Sequence, residues 1–191
     1  MAKLYVVMGK SSTGKDTVYK ELMAKTDLKA IVMYTTRPMR DGESDGREYF
    51  FVSDEETVQF GNDNKIIEIR EYNTVHGVWK YFTLDDGQIK KDNNTGYLII
   101  ATLEAYKKYI SYYGKEMVVP IYIEVDDKTR IHRAIKREDM QVNPKYAEMC
   151  RRYLADEEDF SEEKIAEAGI TKRYTNDILS RCVEEIIADM D

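Results

Sequence analysis

The chain has few of the residues from which metal centres and redox sites are commonly built. Its 191 residues include two cysteines and two histidines. Neither Cys150 nor Cys182 belongs to a C-x-x-C pair, so a thiolate metal site or a redox dithiol is not expected, and both are read as reduced structural thiols. His76 stands beside Gly77 and reads as a turn residue; His132 has no evident partner. Basic charge is in deficit: 29 Lys and Arg against 36 Asp and Glu leave a net charge of −7. A broad nucleic-acid surface needs a basic face that releases counterions from phosphates, so that class is not expected, while a local basic pocket remains compatible. Long apolar runs are missing too. The first, Leu4 to Met8, has no charged n-region before it and is far too short for a signal peptide or a membrane span, so the expected location is the cytoplasm.

What remains suits one domain with a full core. Hydrophobic residues make up 42% and charged residues 34%, an ordinary balance for a globular chain. Leu4 to Met8, bounded by Gly9, has the unbroken apolar character of a buried parallel strand. A helical pattern follows over Asp16 to Lys25, with Val18, Leu22 and Met23 on one face, and then a strand over Ala30 to Tyr34. Thr35 to Ser53 is rich in Arg, Asp and Gly and reads as a long loop of the kind that carries function. Ser53-Asp54-Glu55-Glu56 is a capping box that starts a short helix. Ile66 to Tyr72 and Val78 to Leu84 form a hairpin with its turn at His76-Gly77.

Further on, a short polar helix is expected over Asp85 to Asp92, a buried strand over Tyr97 to Ala101 and a helix near Leu103 to Tyr113. A strongly β-rich run covers Met117 to Val125. Asp127 is expected to cap a helix carrying Arg130, Arg133 and Arg137. A long helix begins near Lys145, and the chain closes with a short strand near Arg173 to Thr175 and an amphipathic helix from Ile178 to Met190. Strands alternating with helices predict a mostly parallel sheet covered on both faces. The acidic stretch Asp156 to Glu163 reads as a solvated face.

The chemistry concentrates first at Gly9-Lys10-Ser11-Ser12-Thr13-Gly14-Lys15, which fits G-x-x-x-x-G-K between a strand and a helix. Gly9 and Gly14 permit backbone conformations that turn successive N–H groups inward around phosphate oxygens. The helix N-terminus adds partial positive charge, and Lys15 reaches the β- and γ-phosphates of a nucleotide. The next position usually carries a hydroxyl that holds Mg²⁺; here it is Asp16, followed by Thr17. Asp16 is read either as a metal ligand, direct or through water, or as an outward acidic first-turn residue.

Residues 35–53, TTRPMRDGESDGREYFFVS, resemble the T-T-R-x-x-R-x-G-E-x-x-G-x-x-Y-x-F-V-S signature of the guanylate kinase family, and the likeness continues over nearly the whole chain. The resemblance implies a P-loop NTPase fold of the three-layer α/β/α kind, with a mostly parallel central sheet, a small β-rich insertion that binds a nucleoside monophosphate, and a helical lid. It implies a single domain: core 1–34, 96–137 and 160–191, insertion 35–95, lid 138–159. It also implies ATP as phosphate donor, Mg²⁺, and GMP or dGMP as acceptor. Arg37, Arg40 and Tyr49 then grip the acceptor phosphate, as forked guanidinium donors and a hydroxyl can.

Ile66-Ile67-Glu68 resembles the family's F-x-E, whose carboxylate reads guanine N1 and N2. Val75-His76-Gly77-Val78-Trp79 resembles V-H-G-N-Y, and a one-residue insertion aligns Tyr81 and Thr83 with its acceptor-site tyrosine and threonine. Arg133 and Arg137 share a helix face and resemble the R-L-x-x-R-G that leads into the lid. With Arg152 they are expected to stabilise charge on the transferring group. The bland alternative is pairing with Glu138, Asp139, Glu157 and Glu158. Asn176 falls at the strand end near the adenine. The expected donor site is therefore Gly9, Lys10, Ser11, Ser12, Thr13, Gly14, Lys15, Asp16, Thr17 and Asn176, with Asp16 and Thr17 as metal ligands.

Departures from the pattern fall at the base site. Met33 stands where the family has a guanine-contacting serine, and Ile100-Ala101-Thr102 replaces D-I-D. Two alternatives follow: a kinase of the same family with another nucleotide acceptor, or a non-catalytic guanylate-kinase-like binding module. Small-molecule nucleotides are the expected partners, without nucleic acid or membrane; monomer or homodimer stays open.

Overall fold

The computed structural model describes residues 2–74, 77–91 and 94–190. Its centre is a five-stranded sheet. Strand β1 (Lys3–Met8) lies between β7 (Gly96–Ile100) and β8 (Val118–Glu124), with β2 (Lys29–Ala30) beyond β7 and β9 (Tyr174–Thr175) beyond β8. Every neighbouring pair is parallel. The run read as one buried strand explains itself here, because both faces of β1 are covered. Leu4, Val6 and Met8 enter one core with Tyr97, Ile99 and Leu103, Tyr106 and Tyr109 of α3 (Leu103–Tyr113). Tyr5 and Val7 enter the other, with Val18 and Leu22 of α1 (Lys15–Lys25) and Cys182, Val183 and Ile186 of α7 (Leu179–Ala188). Each fully buried large side chain contributes about 1.5–3 kcal/mol, so a polar residue at any alternate position of β1 would be costly.

A second sheet has the order β4-β3-β6-β5, made of β3 (Tyr34–Thr35), β4 (Phe50–Phe51), β5 (Ile66–Thr74) and β6 (Gly77–Leu84). The hairpin of β5 and β6 is antiparallel, as expected; Val75 and His76 of its turn lie outside the described residues. Helix α2 (Asp54–Asn62) starts at the capping box: Ser53 Oγ accepts from the Glu56 N–H, and the Glu56 carboxylate accepts from the Ser53 N–H. One face of this sheet packs Tyr34, Phe50, Phe60 and Phe82 ring to ring. After β8 come α4 (Asp127–Asp139), α5 (Tyr146–Asp159) and α6 (Glu162–Glu167). Among the described residues no helix is long and apolar enough to cross a membrane.

Four expectations need correction. The strand expected over Ala30 to Tyr34 is divided between the two sheets. Ile31 still donates to Leu98 O, but the backbone N–H and C=O of Val32 are taken by the Gln88 carboxamide at 2.9 and 3.0 Å, which stops the ladder. The helix expected from Asp85 does not form over residues 85–91; Asp92 lies outside the described residues. Gly87 adopts φ +86°, and Asp86 accepts the Gln88 N–H in a side-chain turn that competes with a helix. Helix α4 is capped by Asp126, not Asp127: its carboxylate accepts the Thr129 N–H at 2.9 Å. Cys150 is exposed and has no packing role, whereas Cys182 is buried in the core.

Candidate functional site

The loop after β1 closes as a cradle. Gly9 has φ +145° and Gly14 φ +89°, and a Cβ on either would lie 2.2 Å from Ile123 O or 2.4 Å from Asn176 Nδ2. Both glycines are therefore required by space as well as by dihedral. Thr13 is buried, and its hydroxyl donates to Lys10 O at 2.9 Å. Asn176 Nδ2 donates to Thr13 O at 2.8 Å, so this side chain braces the loop. The Lys15 ammonium donates to Lys10 O at 3.1 Å, and burial pushes it below the ordinary lysine range against the pull of Asp16 and Asp156. Asp16 and Thr17 are exposed in the first turn of α1.

The acidic end of α5 folds onto this cradle. An Asp156 oxygen accepts the Ser11 N–H at 2.7 Å, and Glu157 accepts from Lys10 Nζ at 2.6 Å and from Arg130 Nη1 at 2.7 Å. Burial opposes ionisation of Glu157, but Lys10 and Arg130 hold it below the ordinary carboxylate value. This corrects the expectation that Asp156 to Glu163 is simply a solvated face: its first two members pack against the loop across 145 and 147 positions of sequence. Arg130 is 1% exposed and lies 4.4 Å from the Tyr153 ring centroid. Among the described residues, Ser12 Oγ and Arg130 Nη2 are buried here without a hydrogen-bond partner, while Arg130 Nη2 keeps an ion-pair contact with Asp156 at 3.8 Å. An anion is the kind of ligand that satisfies both.

The other arginines divide. Arg133 donates to Asn176 O at 2.9 Å and Thr13 O at 3.4 Å, tying α4 to the loop. Arg137 is exposed, 3.8 Å from Glu138. Arg152 is exposed on α5 and paired at 2.9 Å with Glu148, away from the loop. The alternative of pairing with Asp139, Glu157 or Glu158 is not what these side chains do; only the Glu138 contact of Arg137 matches it. His132 Nδ1 donates to Lys128 O of its own helix at 2.7 Å.

The second sheet gathers the rest. Register places Arg70 opposite Tyr81, Glu68 opposite Thr83, and Thr35 opposite Tyr81, so these residues share one sheet face. Arg37 is 3% exposed and grips Glu43 with both nitrogens, at 2.7 and 2.6 Å. That fork, with the Arg40 N–H, holds the Glu43 carboxyl down at about 2. The Arg37 guanidinium lies 5.1 Å from the centroid of Tyr49, which stacks edge-on against Tyr81. The Arg40 side chain is exposed. Glu68 is buried: it takes Arg70 Nε at 2.9 Å, Arg70 Nη2 at 3.2 Å and Thr83 Oγ1 at 3.0 Å, and Thr83 bonds Tyr109 of α3 at 2.7 Å. Met33 Sδ sits 3.4 Å from Arg70 Nη2.

Sequence reading singled out the cradle, Arg37, Arg40, Tyr49, Glu68, Tyr81 and Thr83. It passed over Arg70 and Tyr109, read Asp156 as part of a solvated acidic face and Glu157 as that or a partner for the lid arginines, and named Arg130 only as a helix passenger. Two of these carried a local signal. Arg70 follows Glu68 by two in a strand, which puts both on one face, and Arg130 precedes Arg133 by three in a helix. Nothing near Asp156 in sequence points to Ser11.

Known proteins resemble this chain in sequence and in fold. The sequence profile described as Guanylate kinase matches residues 1–163. A curated guanylate kinase of Oceanobacillus iheyensis is 38% identical over 90 residues, which cover 44% of this chain and 44% of that protein. One from Rhodopirellula baltica is 36% identical over 104 residues, covering 53% of this chain and 48% of the relative. These alignments thus span less than half the length of either relative. The crystal structure of guanylate kinase from Anaplasma phagocytophilum shares the fold, with a TM-score of 0.63 at 19% identity, covering 98% of this chain and 84% of that one. With a family profile matched over most of its length, the chain belongs to the guanylate kinase family.

Proposed function

We propose that the protein transfers the γ-phosphate of ATP to GMP or dGMP, giving ADP and the diphosphate. The observation that carries this reading is the state of the loop. A carboxylate oxygen of Asp156 already sits on the Ser11 amide and 3.8 Å from Arg130 Nη2, and that nitrogen and the buried Ser12 hydroxyl beside it make no hydrogen bond. That is the donor set of a phosphate site.

In this reading the acceptor phosphate attacks the γ-phosphorus in line. Lys15 neutralises charge on the β- and γ-phosphates, and its lowered proton affinity in the free protein reflects burial, whose cost an incoming anion offsets by its opposite charge. Arg37, Arg40, Tyr49 and Tyr81 hold the acceptor phosphate, which takes over donors that Glu43 now occupies. Arg133 braces the loop; Arg137 and Arg152, both exposed, are free to swing toward the transferring group as residues 138–159 close as a lid over the core. Asp16 and Thr17 offer adjacent exposed oxygens beside Lys15, a donor set that suits Mg²⁺ shared with phosphates and water. When bound, the ion would supply neutralisation of phosphate charge.

Lys15→Ala should reduce GMP-dependent ADP release to background in a coupled assay, while an unimpaired variant refutes the assignment. A second reading keeps the reaction and changes the acceptor base. Met33 against Arg70 Nη2 favours it, because a thioether there cannot make a serine's contact. A panel of nucleoside monophosphates decides between them, and GMP turnover far above all others excludes the second.

A further inference from the structure

We infer that Arg130 is a further phosphate-contacting residue of the donor site, and that it takes the outermost phosphate of ATP at the position the Asp156 carboxylate holds in this structure. This rests on the reading of the chain as an ATP-dependent nucleoside monophosphate kinase and names the device that separates ATP from ADP.

Arg130 is buried on the side of α4 that meets the loop. Three of its five donors are used within the protein. Nε donates to Ser11 O at 3.4 Å, and Nη1 serves Asp127 at 3.0 Å and Glu157 at 2.7 Å. Among the described residues Nη2 makes no hydrogen bond, although it is sealed from solvent. Its ion-pair contact is Asp156 Oδ2 at 3.8 Å, too long for a hydrogen bond. The same Oδ2 accepts the Ser11 N–H at 2.7 Å. One carboxylate oxygen thus stands between the loop amide and the guanidinium and satisfies only the amide. A buried guanidinium with unused donors is costly and calls for a better-fitting anion.

The side of the loop on which this happens identifies the phosphate. Lys15 Nζ donates to Lys10 O, so the lysine that reaches the β- and γ-phosphates leans toward the Lys10–Ser11 half of the cradle. Asp156 and Arg130 both act on that ammonium through their charge. Ser12, the next residue, has φ +65°, a left-handed turn of the kind that points successive amides at an anion. Its buried hydroxyl makes no hydrogen bond. The inner phosphates belong to the loop amides that lead into α1. A phosphate beside Ser11, Ser12, Lys15 and Arg130 is therefore the outermost one.

A terminal phosphoryl group carries three acceptor oxygens and about two negative charges. The Asp156 carboxylate carries one charge and is tethered to α5, so it reaches the amide and stops short of Nη2. An untethered phosphoryl group can set one oxygen on the Ser11 amide and turn another to Nη2. Glu157 and Asp127 hold the guanidinium from Nη1, and the Tyr153 ring lies 4.4 Å from it, so its plane is already fixed. ADP lacks the phosphate that competes for Ser11, so Asp156 keeps its contact when ADP is bound.

The test measures Kd for ATP and for ADP by calorimetry, each with Mg²⁺ and without acceptor. Asp156→Asn should tighten ATP about fivefold and leave ADP within about twofold. The double variant Arg130→Met/Glu157→Gln removes one charge of each sign and strands neither. It should weaken ATP about tenfold or more while ADP stays within about threefold, and its retained ADP affinity shows an intact cradle. Arg130→Lys keeps the charge and the Glu157 pair but has no second nitrogen. It should narrow the preference for ATP over ADP about fivefold, and it decides the matter if the double variant does not fold. A purely structural Arg130 would shift both affinities together. Equal changes for ATP and ADP in these variants, or none, overturn the assignment and leave the kinase reading intact where the wild type turns over GMP. Wild-type protein that binds neither nucleotide removes the kinase reading and this inference with it.

Discussion

Replacing Asp156 by Asn should tighten nucleotide binding while destabilising the free protein. Asp156 is 15% exposed and accepts the Ser11 N–H at 2.7 Å, on the loop amide that a phosphate oxygen would use. A hydrogen bond to a charged group contributes about 1.5–3 kcal/mol and a neutral one about 0.5–1.5. The carboxamide still accepts from Ser11 but gives up roughly 1 kcal/mol of that contact. Nucleotide binding must break the contact, so its loss in the free state appears as affinity: roughly fivefold in Kd. The same roughly 1 kcal/mol leaves the free protein, a fall of about 2–4 °C in Tm for a chain of this size. Calorimetric titration with ATP and Mg²⁺ reads the first effect, and thermal unfolding without nucleotide reads the second. Equal or weaker nucleotide binding by Asp156→Asn would refute the idea that this carboxylate occupies a phosphate position. A purely structural Asp156 would lower Tm and leave Kd unchanged.

Two further outcomes follow from the described side chains. Cys150 is exposed and Cys182 is buried, with burial pushing the Cys182 thiol up to about 11; a thiol reagent should therefore titrate one group in the native protein and both after unfolding, and two rapid native reactions would contradict the core packing. The Glu43 carboxyl is held at about 2, first by the Arg37 hydrogen bonds, well below its ordinary carboxylate value. Its stabilising effect is complete above that ordinary value and disappears as pH falls through about 2, so the Tm gap between wild type and Glu43→Gln should be full at neutral pH and close between pH 4.5 and 2; a gap independent of pH would show that the fork is not formed in solution.

Much of the fold was legible because its signals are local. The apolar run of β1, the capping box at Ser53, the Asn176 strand end and the G-x-x-x-x-G-K spacing each act within a few residues, and chain geometry turns such spacings into strand, cap and cradle. The sequence also determined which functional groups the chain carries, Lys15 after a strand, the arginines of the 35–53 segment, and a carboxylate at Glu68. Tertiary structure decided what those groups are free to do. Gln88 ends a strand it does not belong to by claiming both polar groups of Val32. Asp156 reaches Ser11 only because α5 packs over the loop, and Arg70 spends half of its fork on Glu68 because β5 alternates and α3 brings Tyr109 up behind the pair. Hydrogen bonds and ion pairs between residues far apart in sequence leave no periodic trace, since their partners are fixed by packing of whole elements and not by the spacing of residues within one. Composition and spacing therefore name the donors and acceptors, while only the packed chain settles which of them are already spent.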